Sequence, residues 1–148
     1  MDFNQFDSVK AAEQGRELHL KHPASRELLY ADSKKKKPCI VVCLGAESSS
    51  VQKALKKRRA EMAESRGRTE LADLDNEEIQ ADFIASAKPL ITGFKNIHNG
   101  NKPADLEDVD WFLGLQRTIF KEGEPSFAEQ VLEFASSRAN FLGNSKLH

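Results

Sequence analysis

No apolar run in this 148-residue chain is longer than six residues. The longest, Cys39 to Leu44, falls far short of the roughly 20 that span a bilayer. The N-terminus lacks the basic-then-apolar pattern of a secretory signal, so the expected compartment is the cytosol and no membrane role is expected. Cysteine is scarce as well, with only Cys39 and Cys43. On one strand they would lie about 13 Å apart, beyond disulfide reach, and as reduced thiols they act as small hydrophobes. Nucleotide and hydrolase signatures are missing: there is no phosphate loop, dinucleotide fingerprint or Gly-x-Ser-x-Gly elbow. The four histidines are His19, His22, His98 and His148. His19 and His22, three apart, would point to opposite faces of a strand, with no Cys or carboxylate at ligand spacing, so neither metal nor cofactor is expected. These absences speak against an enzyme.

Charge is abundant but unevenly placed. The net charge of −1 hides 15 Lys/Arg against 9 Asp/Glu in residues 1–68, and 7 against 14 in residues 69–148. Opposite signs on two parts of one chain can steer an oriented partner or a second copy, or can simply be solvated. The basic excess gathers in the stretch 51–68, where Lys53, Lys56, Lys57, Arg58, Arg59 and Arg66 stand against the sparse apolar Val51, Ala54, Leu55, Ala60, Met62 and Ala63. Such a helix cannot be deeply buried. It offers a phosphate-tracking surface, but no aromatic residue is interleaved for base stacking. The acidic groups around Asp75 and Asp105 sit where helices should start, and there caps and the helix dipole account for them without acid–base chemistry.

Patterning predicts an α+β fold: a small N-terminal antiparallel β-sheet followed by a mainly α-helical C-terminal part. Residues 4–14 read as a short helix stopped by Gly15. Glu17–Lys21 alternates polar and apolar residues as a half-buried strand does. Leu28 and Tyr30 share one face of a second strand, and Cys39–Leu44, apolar on both faces, reads as the central third. Together these form a meander that, with the basic helix, occupies residues 1–68. In 69–148, Ile79, Phe83, Ala87, Leu90, Ile91 and Phe94 fall on one helical arc, with a kink or break expected at Pro89. His98–Asn101 signals a turn at a small hairpin tip. A helix from Asp105 carries Val109, Trp111, Phe112, Leu115, Ile119 and Phe120 and stops at Gly123; Pro125 suits the first turn of a last helix closed by Gly143. Both parts are expected to fold as one compact domain.

That last helix is the most informative stretch. Phe127, Val131, Phe134, Arg138, Phe141 and Leu142 share one side, and Ala128, Leu132, Ala135 and Ala139 widen it to about half the circumference, more than one core needs. Either all of it is core, or one edge meets a partner. On the partner reading, Phe134, Arg138 and Phe141 form the binding edge, while Leu132 and Ala135 face the domain. Arg138 then either snorkels over apolar surface or pairs with a carboxylate on a partner or on the acidic half of the chain.

The ending Glu129-Gln130-Val131 with Arg138-Ala139-Asn140-Phe141-Leu142 resembles the C-terminus of phage tail assembly chaperones. The opening Met1-Asp2-Phe3 with Gly15 to Ala24, and the middle Thr92-Gly93-Phe94-Lys95-Asn96-Ile97 with Asn99-Gly100 and Lys102-Pro103, are similar to the same family. The resemblance implies a non-catalytic protein in the host bacterial cytoplasm, from a phage or prophage. Such a protein keeps the tape-measure protein soluble until the tail tube polymerises. It further implies a tail tube contact through a longer frameshifted form, and self-association is a further expected partner mode. The alternative is a small nucleic-acid-binding regulator using the basic helix 51–68.

Overall fold

Strand β1 (Arg16–His19), strand β2 (Ile40–Cys43) and strand β3 (Ile91–Lys95) form an antiparallel sheet in the order β1–β2–β3. The computed structural model describes residues 1–66, 76–117 and 122–142. β2 is central because its side chains can be buried on both faces: Val41 and Cys43 are fully enclosed, and Ile40 nearly so. Leu18 on β1 pairs with Val41, and Phe94 on β3 lies opposite the same residue, so the middle of the sheet is one apolar row. The third strand therefore comes from the second half of the chain, and the two halves share one sheet. The stretch expected to be the second strand makes only isolated bridges, Lys21 with Leu28 and Tyr30 with Pro38. The 1–68 meander is corrected accordingly.

The reason lies at Pro89. Helix α3 (Asn76–Ala87) carries the predicted core face, then a 3₁₀ turn over Lys88–Leu90 accommodates the proline at its start and releases the chain as β3. Leu90 and Ile91 are buried as expected, but from a turn and a strand. The predicted hairpin is present: β4 (His98–Asn99) pairs with β5 (Lys102–Pro103), and Gly100 supplies the positive φ of +67° that the tight turn requires.

At the N-terminus, Asp7 interrupts the expected single helix. It ends a 3₁₀ turn (Phe3–Phe6) and caps helix α1 (Ser8–Ala12) by accepting from the Lys10 N–H. Helix α2 (Ser49–Arg66) follows β2 and buries Val51, while Lys53, Lys56, Lys57 and Arg59 are exposed. Asp105 opens the next helical segment through a capping box with Asp108, and helix α4 (Val109–Leu113) stops at Gly114, well before the expected Gly123. Ile119, Phe120, Asp75, Gly67, Gly143, His148 and the 68/69 boundary lie outside the described residues.

Ser126 and Glu129 form a second capping box that starts helix α5 (Phe127–Ala135), so Pro125 precedes the cap and is not in the first turn. The predicted long terminal helix is broken. After Ala135 the chain turns through Ser136–Arg138 and resumes as helix α6 (Ala139–Leu142), with the Asn140 side-chain amide donating to the Phe134 carbonyl at 2.9 Å. Serine competes with the helix through its own backbone, which favours a stop there.

One core joins these parts: Leu20, Val41 and Cys43 of the sheet region, Leu90, Phe112 and Leu113, and Ala128, Val131 and Ala135 of α5. Phe112 stacks on Phe127 at 5.2 Å and meets Phe94 edge-on at 5.1 Å. Where β2 ends, three successive N–H groups go to three different elements. Leu44 donates to Leu90, Gly45 to Ala12 and Ala46 to Ala135, at 2.7, 2.9 and 2.8 Å. Gly45 has no room for a side chain, since a Cβ there would come within 2.7 Å of the Ala12 Cβ.

Candidate functional site

The three residues expected to form the partner edge are separated by the break after α5. Phe141 is buried, 4% exposed, on the face of α6 that packs against α1 and Gly45. It therefore cannot belong to an exposed edge. Phe134 is half-buried, meets Phe141 edge-on at 5.6 Å, and lines a cleft toward β1. Arg138 is exposed, yet it has a partner within its own chain. Its Nε donates to Glu47 Oε1 at 2.5 Å and its Nη2 to Oε2 at 3.3 Å, while the Ser8 hydroxyl donates to the same carboxylate. Arg138 does pair with a carboxylate, but that carboxylate belongs neither to a partner nor to the acidic half 69–148; it is Glu47 of the same chain's basic half. The Arg138 hydrogen bond, then that of Ser8, holds the Glu47 carboxyl below its usual range, and Glu47 in turn pushes the guanidinium up.

The other edge of α5 provides the open apolar surface. Ala135 is buried and Leu132 packs half-buried against the core, both toward the domain as expected, and Leu132 also lines a groove of about 560 Å³ between α2, α3 and α5. Val51, Leu55, Met62 and Leu90 supply the rest of its apolar wall. The groove follows from the composition of α2. With so few apolar residues, α2 buries only Val51 among its described residues, Leu55 packs half-buried against the core, and Met62 lies on the groove wall. Arg58 spans to Asp82 on α3 as an ion pair, and Arg59 lies on the rim. Lys53, Lys56 and Lys57 project outward from the same helix. The sequence carried a signal for this groove, the sparse apolar positions of α2 beside the over-wide stripe of α5.

Other side chains singled out by type have structural partners. His19 Nε2 lies 2.7 Å from the Leu29 carbonyl and its ring meets Tyr30 edge-on, whereas His22 Nδ1 accepts from the Ala24 and Ser25 N–H groups. Among the described residues no group of three His, Cys, Asp or Glu could hold a metal ion. Asp108 accepts from the Asp105 N–H and from Asn99, and these bonds keep its carboxyl below the ordinary range. It is a helix cap with its acceptors occupied. Burial pushes the Cys43 thiol up to about 12, and Cys39 is raised for the same reason. Among the described residues, no helix is long and apolar enough to cross a membrane. No protein-family model, curated protein or solved structure matches the chain.

Proposed function

We propose that this chain is a tail assembly chaperone that binds the tape-measure protein of a long-tailed phage, in the cytoplasm of the host bacterium and without catalysis. The observation that carries the reading is the α2–α3–α5 groove, an apolar trough edged by Arg59 and by the Arg58–Asp82 ion pair. An amphipathic helix fits such a trough through apolar residues at i, i+3, i+4 and i+7. Each anchor that leaves water contributes about 1.5–3 kcal/mol, and much of that is offset by the cost of association. Binding of this kind is modest per copy, which suits several copies along one tape-measure chain that must leave as the tube polymerises. A longer frameshifted form would add the tail tube contact.

Co-expression tests the proposal. The chaperone should raise the soluble yield of the tape-measure protein and be recovered with it in a pull-down. Leu55→Glu and Leu132→Glu, both on the groove wall, should abolish recovery while the variants remain folded. If the tape-measure protein is equally soluble alone and no complex forms, the assignment is wrong. A shift assay provides the counter-test. Nucleic-acid binding should be negligible at about 0.15 M salt, where charges beyond roughly 8 Å are screened. Tight, salt-sensitive binding through Lys53, Lys56, Lys57 and Arg59 would instead support the regulator reading.

A further inference from the structure

Strand β1 is an edge of the sheet, and its register decides which of its backbone groups face outward. The Leu20 N–H donates to the Cys39 carbonyl while its carbonyl accepts from the Leu29 N–H, so on that same side, two by two, Leu18 and Arg16 turn their polar backbone toward β2. Glu17, His19 and Lys21 turn theirs away. At Lys21 that outward pair is satisfied by a side chain imitating a strand: Gln130 Oε1 accepts from the Lys21 N–H at 2.9 Å, and Gln130 Nε2 donates to the Lys21 carbonyl at 2.9 Å. Gln130 is itself buried and comes from α5. The outward backbone groups of Glu17 and His19 have no such partner among the described residues. His19 borders a cleft of about 340 Å³, walled by Leu18 and Phe134, and Glu17 continues the same strand edge beyond it.

We propose that this cleft takes an extended segment of another protein as a fourth strand beside β1, with Gln130 as the stop that fixes where the added strand ends. The occupant should be acidic with alternating apolar residues. Strand addition draws affinity from main-chain hydrogen bonds and selectivity from alternate side chains. Leu18 and Phe134 offer the apolar seat. Lys21 and Arg26 border the same cleft, both exposed and neither in an ion pair among the described residues, against the single carboxylate Glu133. The opposite edge of the sheet is less suited, because the register slips at Val42/Cys43 and the Leu106–Asp108 turn packs against β3. The proposal stands apart from the chaperone reading, since it concerns a different face and an extended, not helical, partner.

The test uses the full chain and three capped hexapeptides: alternating glutamate and valine, alternating lysine and valine, and the glutamate peptide N-methylated at alternate backbone nitrogens. The glutamate peptide should slow amide exchange at Glu17 and His19 and bind at least about tenfold more tightly than the lysine peptide. The N-methylated peptide should do neither, because it lacks the N–H groups a ladder needs. Lys21→Glu with Arg26→Glu, at exposed positions, should reverse the charge preference and leave the protection pattern in place. Equal binding of the N-methylated peptide, or binding without protection at Glu17 and His19, overturns the proposal. Protection that grows with protein concentration and no peptide would assign the edge to a second copy, and overturns it too.

Discussion

Replacing Phe141 by alanine tests whether the terminal segment is anchored as described. The ring is 4% exposed, lies beside Ala12 and Gly45, and meets Phe134 edge-on. Truncating a buried phenylalanine removes its transfer energy and leaves a cavity, together about 3–5 kcal/mol. About 0.5–1.5 kcal/mol of aromatic pairing is part of what is lost. The site sits where two short helices, α1 and α6, pack together, so partial collapse should keep the loss near the lower end, about 3 kcal/mol. For a chain of this size each kcal/mol moves the melting temperature by about 2–4 °C, which predicts a fall of roughly 6–12 °C. Leu132→Ala, on the half-exposed groove wall, should fall by clearly less. Thermal unfolding followed by circular dichroism, with amide exchange at Gly45 as a local probe, makes the comparison. If Phe141→Ala melts with the parent and the Gly45 amide is unchanged, then α6 is not docked on α1 and the packing argument fails.

Gln130→Ala should cost about 1–3 kcal/mol, because it leaves the paired groups of Lys21 without a protein partner, and should speed amide exchange at Lys21 in particular. The Glu47 carboxyl, whose folded pKa lies below its ordinary 4.5, contributes stability that is present above that value and lost as pH falls through the lower folded one. The stability gap between the parent and Glu47→Gln, measured by urea unfolding from neutral pH to well below 4.5, should therefore close on the acid side. A thiol reagent at mildly alkaline pH should label Cys39 slowly and leave Cys43 untouched until the chain is unfolded, because burial withholds the Cys43 thiolate. Equal labelling of both in the native protein would refute the buried position of β2.

Legibility followed the length and purity of each pattern. Ile40–Cys43 could be read as a central strand because an apolar run with β-branched residues has few other stable placements. Ile91 and Phe94 could not be assigned as firmly, since they also continue the helical arc of Ile79 and Phe83. Pro89 marked the break, but short apolar runs suit both periods. Leu28 and Tyr30 alternate correctly and still form only bridges, because strand partners are set by tertiary packing. At the candidate site, the excess apolar surface of the last helical stretch was legible and its direction was not. Ser136 and Ser137 interrupt the helix, so the phase that put Phe134, Arg138 and Phe141 on one edge does not carry across. Arg138 met a carboxylate from residue 47, a distance in sequence that no local pattern encodes.

The three N–H groups of Leu44, Gly45 and Ala46 also bear on when this protein can be finished. A ribosome delivers their acceptors at different times: Ala12 before the donors, Leu90 and Ala135 long after. At roughly 5–20 residues per second, the apolar strand Ile40–Cys43 waits several seconds for β3 and for α5. During that interval it has no cover on one edge and one face, the condition in which nascent chains pair wrongly with their neighbours. Immediately upstream lie Lys34, Lys35, Lys36 and Lys37, all exposed in the finished fold and none in an ion pair among the described residues. Their mutual repulsion between copies is strongest while the strand beside them is bare. On this view the lysine run acts mainly during synthesis, and neutralising it should lower soluble yield from rapid expression while leaving the melting temperature of the recovered protein unchanged.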